Sequence, residues 1–214
     1  MYLTDLEETF ILKGVEGVSL GMLNLYLLLY ADDIILFANT PEALQQSLNV
    51  LAGYCDRGKL TVNVKKSKIM IFRKGGRLPG HLHFYYNETE LEIVSSFKYL
   101  GVVFTSGGSF NETDKLLSGQ SLKAIFKLNQ YINKFAGLSP GHILDLFDKL
   151  ISPILNYAGE VWGFNKGLQV ERSHLSFCKR TLGVKKSTQN SFIYGETGIL
   201  DCINTRYFLI IKYR

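Results

Sequence analysis

Cysteine is scarce in this sequence and odd in number: Cys55, Cys178 and Cys202 are the only three in 214 residues. Three scattered thiols do not make a disulfide framework and instead fit a reducing compartment. Proline is rarer than glycine, 4 against 20, which allows many turns but excludes a proline-rich linker. No apolar run is long enough to cross a bilayer. The longest, residues 23–38, is interrupted by Asp32 and Asp33, and each arm falls short of the roughly 20 residues a spanning helix needs. The start, Met1-Tyr2-Leu3-Thr4-Asp5-Leu6-Glu7-Glu8, is acidic where a secretory signal carries basic residues. The expectation is an intracellular protein, in cytoplasm or nucleus, that is neither secreted nor membrane-embedded. Internal repeats and low-complexity tracts are also lacking.

What is present is the composition of a folded chain, 46% hydrophobic and 20% charged, long enough for one substantial core or for a small domain followed by a helical one. The net charge of +5 is unevenly spread. Residues 1–56 hold eight acidic residues against Lys13 alone, net −7; residues 57–135 carry +8 and residues 136–214 carry +4. An acidic front thus holds a paired carboxylate, and a basic remainder can meet a polyanion. Mild basicity also serves solubility, so charge decides nothing alone.

Local patterns divide the chain into an α+β part, residues 1–110, and an all-α part, residues 111–214. Residues 7–12 read as the end of a helix closed near Gly14 and Gly17. Two apolar runs, residues 24–30 and 34–37, flank Ala31-Asp32-Asp33, the pattern of a β-hairpin with the aspartates at its tip. The apolar flanks predict that this hairpin lies inside a sheet. Thr40-Pro41-Glu42 then supplies an N-cap, a proline at the first helical position and an acid in the first turn. Leu44, Leu48, Leu51, Ala52 and Cys55 continue at helical spacing, with a stop near Gly58. Strands are expected at residues 67–72, 83–86, 90–94 and 99–104, with turns at Gly75-Gly76, Asn87-Glu88 and Gly107-Gly108. From Glu112 onward the pattern predicts four helices, broken at Ser139-Pro140 and at residues 163–167. In the first of them Lys123, Lys127 and Lys134 fall on one stripe, opposite an expected core arc of Leu122, Ile125, Leu128, Ile132 and Phe135. The stripe is suited to a phosphate backbone, or equally to water.

Asp32 and Asp33 are the residues with the clearest chemistry. Two carboxylates about 5 Å apart repel by about 3 kcal/mol at an effective dielectric near 20, and by under about 1 kcal/mol in water. A buried pair therefore calls for a cation, while an exposed turn needs none. Magnesium prefers carboxylates and substrate phosphates, and two such ions can serve phosphoryl transfer. Adjacent strand residues face opposite ways, so one aspartate contributes more than the other.

Further motifs give the pair a context. Leu28-Leu29-Tyr30-Ala31-Asp32-Asp33-Ile34-Ile35-Leu36 resembles the Tyr-Ala-Asp-Asp (YADD) signature of the reverse transcriptase palm. Leu60-Thr61-Val62-Asn63-Val64-Lys65-Lys66-Ser67 resembles that family's Leu-x-x-Asn-x-x-Lys-Ser/Thr element, and Phe97-Lys98-Tyr99-Leu100-Gly101 its Tyr-Leu-Gly primer-grip turn. Ile154-Leu155-Asn156-Tyr157-Ala158-Gly159-Glu160-Val161-Trp162-Gly163, and the segment 174–184 with Arg180 and Gly183, are similar to stretches downstream in non-LTR (LINE-like) retrotransposon polymerases. The order of the elements makes the likeness specific, and it covers nearly the whole chain.

The resemblance implies a partial palm over residues 1–110 and a helical thumb or connection over residues 111–214 of an RNA-directed DNA polymerase, a nucleotidyltransferase using two Mg2+ ions. On that basis Asp32 and Asp33 are the catalytic, metal-holding carboxylates. Lys66 and Tyr30 border the incoming dNTP, with Lys66 a proton donor to the pyrophosphate. Tyr99, Leu100 and Gly101 grip the primer, and Lys123, Lys127 and Lys134 contact the RNA template–DNA primer duplex. The family's first catalytic aspartate, its fingers and most of its Gln-Gly…Ser-Pro element find no match, so this chain alone is expected to bind metal weakly and to be inactive. The alternative is a non-catalytic nucleic-acid-binding remnant; a palm-like cyclase fits the Tyr-Leu-Gly and Tyr…Glu-x-Trp segments poorly.

Other features have plainer readings. Lys65, Lys66 and Lys68 also fit a solvated edge, and Trp162 fits a core. His174 and Cys178, four apart on an expected helix, are two ligands where zinc wants four. His81 and His83 read as structural, and the acceptor patterns at Asn87 and Asn111 as inert.

Overall fold

The computed structural model describes residues 5–76, 78, 80–134 and 137–212. The chain is α+β and divides into two compact units, Met1–Phe97 and Lys98–Arg214. Phe135, assigned to the core arc from the sequence, lies outside the described residues. No helix among the described residues is long and apolar enough to cross a membrane.

The first unit is built on one long helix. Helix α1 (Leu6–Leu12) is followed by a hairpin of β1 (Val18–Leu20) and β2 (Leu23–Leu25), then by β3 (Leu27–Tyr30) and β4 (Asp33–Leu36), and then by α2 (Pro41–Gly58). The expected cap of α2 is present: the Thr40 hydroxyl accepts from Ala43 N–H at 3.1 Å, and Pro41 occupies the first turn. Leu48, Leu51, Ala52 and Cys55 pack from one face of α2 onto Leu6, Phe10 and Leu27, burying the apolar stripe that makes the helix worth forming. Short strands complete the unit: β5 (Lys68–Ile69), β6 (Tyr85–Tyr86), β7 (Thr89–Glu90) and β8 (Glu92–Ile93). Gln45 on α2 holds β6 in place, its side chain donating to Tyr85 O at 2.8 Å and accepting from Tyr85 N–H at 2.9 Å.

Several expected strands are shorter or differently divided. Residues 67–72 contain only β5, paired in parallel with β8, residues 83–86 only β6, and residues 90–94 take part in two different pairings, β6 with β7 and β5 with β8. The apolar run 24–30 divides at Tyr26 into β2 and β3, which belong to different hairpins. Every sheet among the described residues has two strands. The Asp32–Asp33 hairpin is therefore not enclosed in a larger sheet, and Leu28, 46% exposed, shows one uncovered face.

The strand expected at 99–104 is present from residue 102 as β10 (Val102–Thr105), while Leu100 and Gly101 form the bend that joins it to β9 (Ser96–Tyr99), as the Tyr-Leu-Gly resemblance implies. Seven helices follow among the described residues where four were expected: α3 (Asn111–Ile132), α4 (Pro140–Leu150), the single turns α5 (Ser152–Leu155) and α6 (Gly159–Trp162), α7 (Leu168–Thr181), α8 (Asn190–Thr197) and α9 (Cys202–Lys212). Leu117, Ile125 and Leu128 of α3 pack with Phe147, Ile151, Leu155, Trp162, Val170 and Phe177 in the core of the second unit. Trp162 is fully buried, as its plain reading held.

This unit is stitched by buried polar groups. Asp114 of α3 accepts from Gln169 N–H and Val170 N–H, each at 2.9 Å, and so caps α7, whose own N-cap residue, Gly167, has no side chain to do it. Ser118 and Ser173 share a buried hydrogen bond of 2.7 Å. Arg206 is fully buried, its guanidinium lying 4.5 Å from the Trp162 ring and donating to Asn165 O and Lys166 O.

Candidate nucleotidyl-transfer and nucleic-acid site

The acidic hairpin forms where the local sequence predicts it. Strands β3 and β4 pair antiparallel with Leu27↔Leu36, Leu28↔Ile35, Leu29↔Ile34 and Tyr30↔Asp33, leaving Ala31 and Asp32 as a two-residue loop. Such loops need positive φ, and here Ala31 supplies it at φ 54°. An L-residue held there stores strain of order 1 kcal/mol, a feature that clusters at functional sites. Both aspartates are exposed, and neither has a hydrogen-bond or ion-pair partner among the described residues. Two unpaired carboxylates are hard, acceptor-only oxygen donors, a chemistry that fits Mg2+. No third acidic, His or Cys donor among the described residues joins them, so the ion's remaining positions would fall to water or substrate.

Lys66 stands at a tight turn after α2. Asn63 shapes that turn: its backbone carbonyl accepts from Lys66 N–H and Ser67 N–H, both at 3.0 Å, and also from the Ser67 hydroxyl, while its side chain accepts from Lys66 N–H at 3.3 Å. The Asn and Ser of this motif therefore build a turn that leaves Lys65 and Lys66 exposed. Lys68, by contrast, is ion-paired with Glu92 at 2.6 Å.

Tyr99, Leu100 and Gly101 make the bend between β9 and β10, with Leu100 at φ 44° and Gly101 at φ 85°, the sign pattern of a primed hairpin turn. Gly101 is required twice over, since a Cβ there would lie 2.7 Å from Tyr157 Cε1. Tyr157 clasps the bend, its ring over Gly101 and its hydroxyl donating to Leu100 O at 3.0 Å. The sequence did not single out Tyr157, although the segment carrying it was recognisable. From the other side, Thr113 Oγ1 accepts from Val103 N–H at 2.8 Å and donates to Val103 O at 3.0 Å, fixing β10 to α3.

On α3, Lys123 and Lys127 are exposed, directly opposite the buried stripe of Asp114, Leu117, Ser118, Ser121, Ile125 and Leu128. Lys134 is exposed too but lies two residues past the helix, its ammonium 5.8 Å from the Tyr131 ring. Leu122 is 51% exposed and is not core. At 100° per residue it stands about 80° from the middle of the stripe that Asp114 and Ser118 set against α7, a register that apolar spacing alone cannot reveal. Phe126, 65% exposed, and Tyr131, 62% exposed, join the lysines. Bases stack on aromatic faces and phosphates meet lysines, so this mixed surface suits nucleic acid. The aromatic members were missed because helical spacing assigns apolar residues to a core.

His174 and Cys178 both sit in the core of the second unit. The donors that gather around His174 are Glu171 and Cys202, not Cys178. Burial lowers the His174 pKa to about 4 and raises the Cys178 thiol to about 12.

Residues 3–104 match the family described as reverse transcriptase (RNA-dependent DNA polymerase). Over 169 residues the chain is 28% identical to an uncharacterized transposon-derived protein of Caenorhabditis elegans. That alignment covers 78% of this chain and 60% of the relative, so the chain spans only part of that relative's length. No solved structure matches. The matched segment holds the acidic hairpin, the Asn63–Lys66 turn and the β9–β10 bend in order, and residues 3–104 therefore belong to the reverse transcriptase (RNA-dependent DNA polymerase) family.

Proposed function

We propose that this chain supplies part of the palm and the thumb of an intracellular non-LTR retrotransposon reverse transcriptase. The observation that carries the reading is the Asp32–Asp33 pair, unpartnered at the tip of a strained hairpin within a segment of that family. Asp32 and Asp33 would hold Mg2+, which when bound stabilises charge on the attacking primer hydroxyl and the departing pyrophosphate. In the reaction the primer 3′-hydroxyl gives up its proton to solvent, its oxygen bonds the α-phosphorus of a dNTP, and the bond from that phosphorus to pyrophosphate breaks. Lys66 offers its ammonium proton to that leaving group, and Tyr30 borders the nucleotide. Tyr99, Leu100 and Gly101, braced by Tyr157, support the primer end. Lys123, Lys127 and Lys134 follow the backbone of the RNA template–DNA primer duplex, with Phe126 and Tyr131 beside them.

On this reading the family's third carboxylate is not among the motifs recognised in this chain, so the 214 residues alone are expected to hold the ions weakly and to extend no primer. Mg2+-dependent primer extension tests this: no dNTP incorporation is expected. Incorporation that Asp32→Asn abolishes would overturn the inactivity while upholding the site, and incorporation indifferent to Asp32→Asn would overturn both. A second reading, nucleic-acid binding without catalysis, is favoured by the lysine and aromatic surface of α3, which needs no carboxylates. Fluorescence anisotropy on an RNA–DNA hybrid tests the α3 surface. Neutralising the three lysines is expected to lower the slope of log affinity against log salt by about 2–3. Binding unmoved by salt and by those changes would refute the thumb assignment.

A further inference from the structure

In the second unit three donors of different chemistry converge. Glu171 and His174 lie three residues apart on one face of α7, and Cys202 opens α9. One ligand atom from each falls within 4.8 Å of the other two. His174 and Cys202 are each 3% exposed, and His174 Nδ1 lies 3.5 Å from Cys202 Sγ. A nitrogen about 2.0–2.1 Å and a sulfur about 2.3 Å from one tetrahedral zinc ion stand about 3.5 Å apart, so the two ligands already have coordination spacing. A thiol–imidazole hydrogen bond spans the same gap, and the choice between them needs a second observation.

The third donor, Glu171, is that observation, since a hydrogen bond needs only two groups, and the adjoining cavity offers room for an ion's fourth ligand. The cavity has a volume of about 310 Å³, and its walls include His174, Cys202 and Asn156. Two buried polar atoms of those walls, His174 Nε2 and Asn156 Oδ1, have no hydrogen-bond partner, although both residues are more than nine-tenths buried. Buried polar atoms are seldom left unpaired. With a metal on Nδ1 the imidazole proton sits on Nε2 and becomes a donor, while Asn156 Oδ1 is an acceptor. Cavity waters would satisfy both and leave one to complete the ion's coordination.

The donor types choose the ion. Thiolate with imidazole and carboxylate suits zinc, whereas the all-oxygen pair at Asp32–Asp33 suits magnesium. A cysteine–histidine nucleophile is the rival reading, but a reactive thiol needs access that a 3% exposed Cys202 lacks. Glu171 accepts from Cys202 N–H at 2.9 Å and from the Tyr194 hydroxyl, which holds the carboxylate in place and leaves it lone pairs for a metal.

We propose that Glu171, His174 and Cys202 form a structural zinc site that fastens the start of α9 to α7, with a cavity water as fourth ligand. Binding breaks the Cys202 S–H bond, forms an S–Zn bond and sends the proton to solvent. His174 enters uncharged. The site depends on neither the acidic hairpin nor the α3 surface.

Titration of the reduced, metal-free full chain with Co2+ tests it. One equivalent is expected to give tetrahedral visible absorption together with a near-ultraviolet thiolate-to-cobalt charge-transfer band, both lost on adding Zn2+. Cys202→Ser should remove the charge-transfer band, Cys178→Ser should keep it, and Glu171→Gln should weaken binding at least about tenfold. Zinc at about 100 times its dissociation constant should raise the midpoint of thermal unfolding by about 5 °C or more. The unaltered chain decides the matter without any variant: absence of a charge-transfer band at excess Co2+ overturns the site. Visible absorption lacking that band would mark surface histidines and overturns it equally, as does a band that survives Cys202→Ser.

Discussion

The two units handle carboxylates in opposite ways. In the first, Asp32 and Asp33 stand exposed and unpartnered at the end of a two-stranded hairpin. In the second, Asp114 is buried and spends both oxygens on the backbone of α7. One arrangement leaves charge available for an ion or substrate; the other consumes it in holding two helices together. Function and stability should therefore respond in opposite senses to removing the charge.

The largest effect is expected at Asp114. Asp114→Ala leaves two N–H groups at the start of α7 without an acceptor and removes a negative charge from the positive end of that helix. A loss of about 2–4 kcal/mol is expected, read as a lower midpoint in urea or thermal unfolding of the full chain by circular dichroism. A loss under about 0.5 kcal/mol would mean that α7 is capped in another way and would break the comparison.

The β9–β10 bend should come next. Gly101→Ala asks an L-residue to adopt φ 85° with its Cβ 2.7 Å from the Tyr157 ring. A cost of about 1–2 kcal/mol is expected in the same assay, together with displacement of Tyr157, visible as a changed near-ultraviolet signal. Tyr157→Phe isolates the polar half of that clasp. It removes only the bond to Leu100 O, from a residue 49% exposed, and should cost about 0.5–1 kcal/mol. If Tyr157→Phe costs as much as Gly101→Ala, the hydroxyl rather than the turn conformation holds the bend.

How much of this was legible in the sequence follows the range of the interactions. The α2 cap at Thr40-Pro41 and the hairpin around Asp32 are set by neighbours a few residues away, and both formed as read. The extended preference of Val102, Val103 and Phe104 makes β10 legible, but the bend at Leu100 is marked only by the Tyr-Leu-Gly resemblance, because positive φ at a leucine is not written in its side chain. The contacts that organise the second unit join distant positions: Asp114 to Val170, 56 residues away, and His174 to Cys202, 28 away. Pairing His174 with Cys178 followed helical spacing, which reports what shares a face and not what packs against it. Arg206 and Asn156 are polar residues in a core, where composition predicts neither.

The smallest expected effect on stability carries most for function. Replacing Asp32 or Asp33 by Asn removes a charge that has no partner among the described residues, so stability should change by less than about 0.5 kcal/mol. Any change should be a gain, because the substitution relieves repulsion between adjacent carboxylates that water already screens to under about 1 kcal/mol. Adding Mg2+ should offset part of that gain. A cation held by the pair stabilises the unsubstituted chain by mass action, and either variant should lose that increment. The check is a pair of thermal unfolding curves for each protein, with and without millimolar Mg2+. A marked destabilisation without the ion would show that the aspartates belong to the scaffold after all, as Asp114 does, and the contrast between the two units would fail at its acidic end.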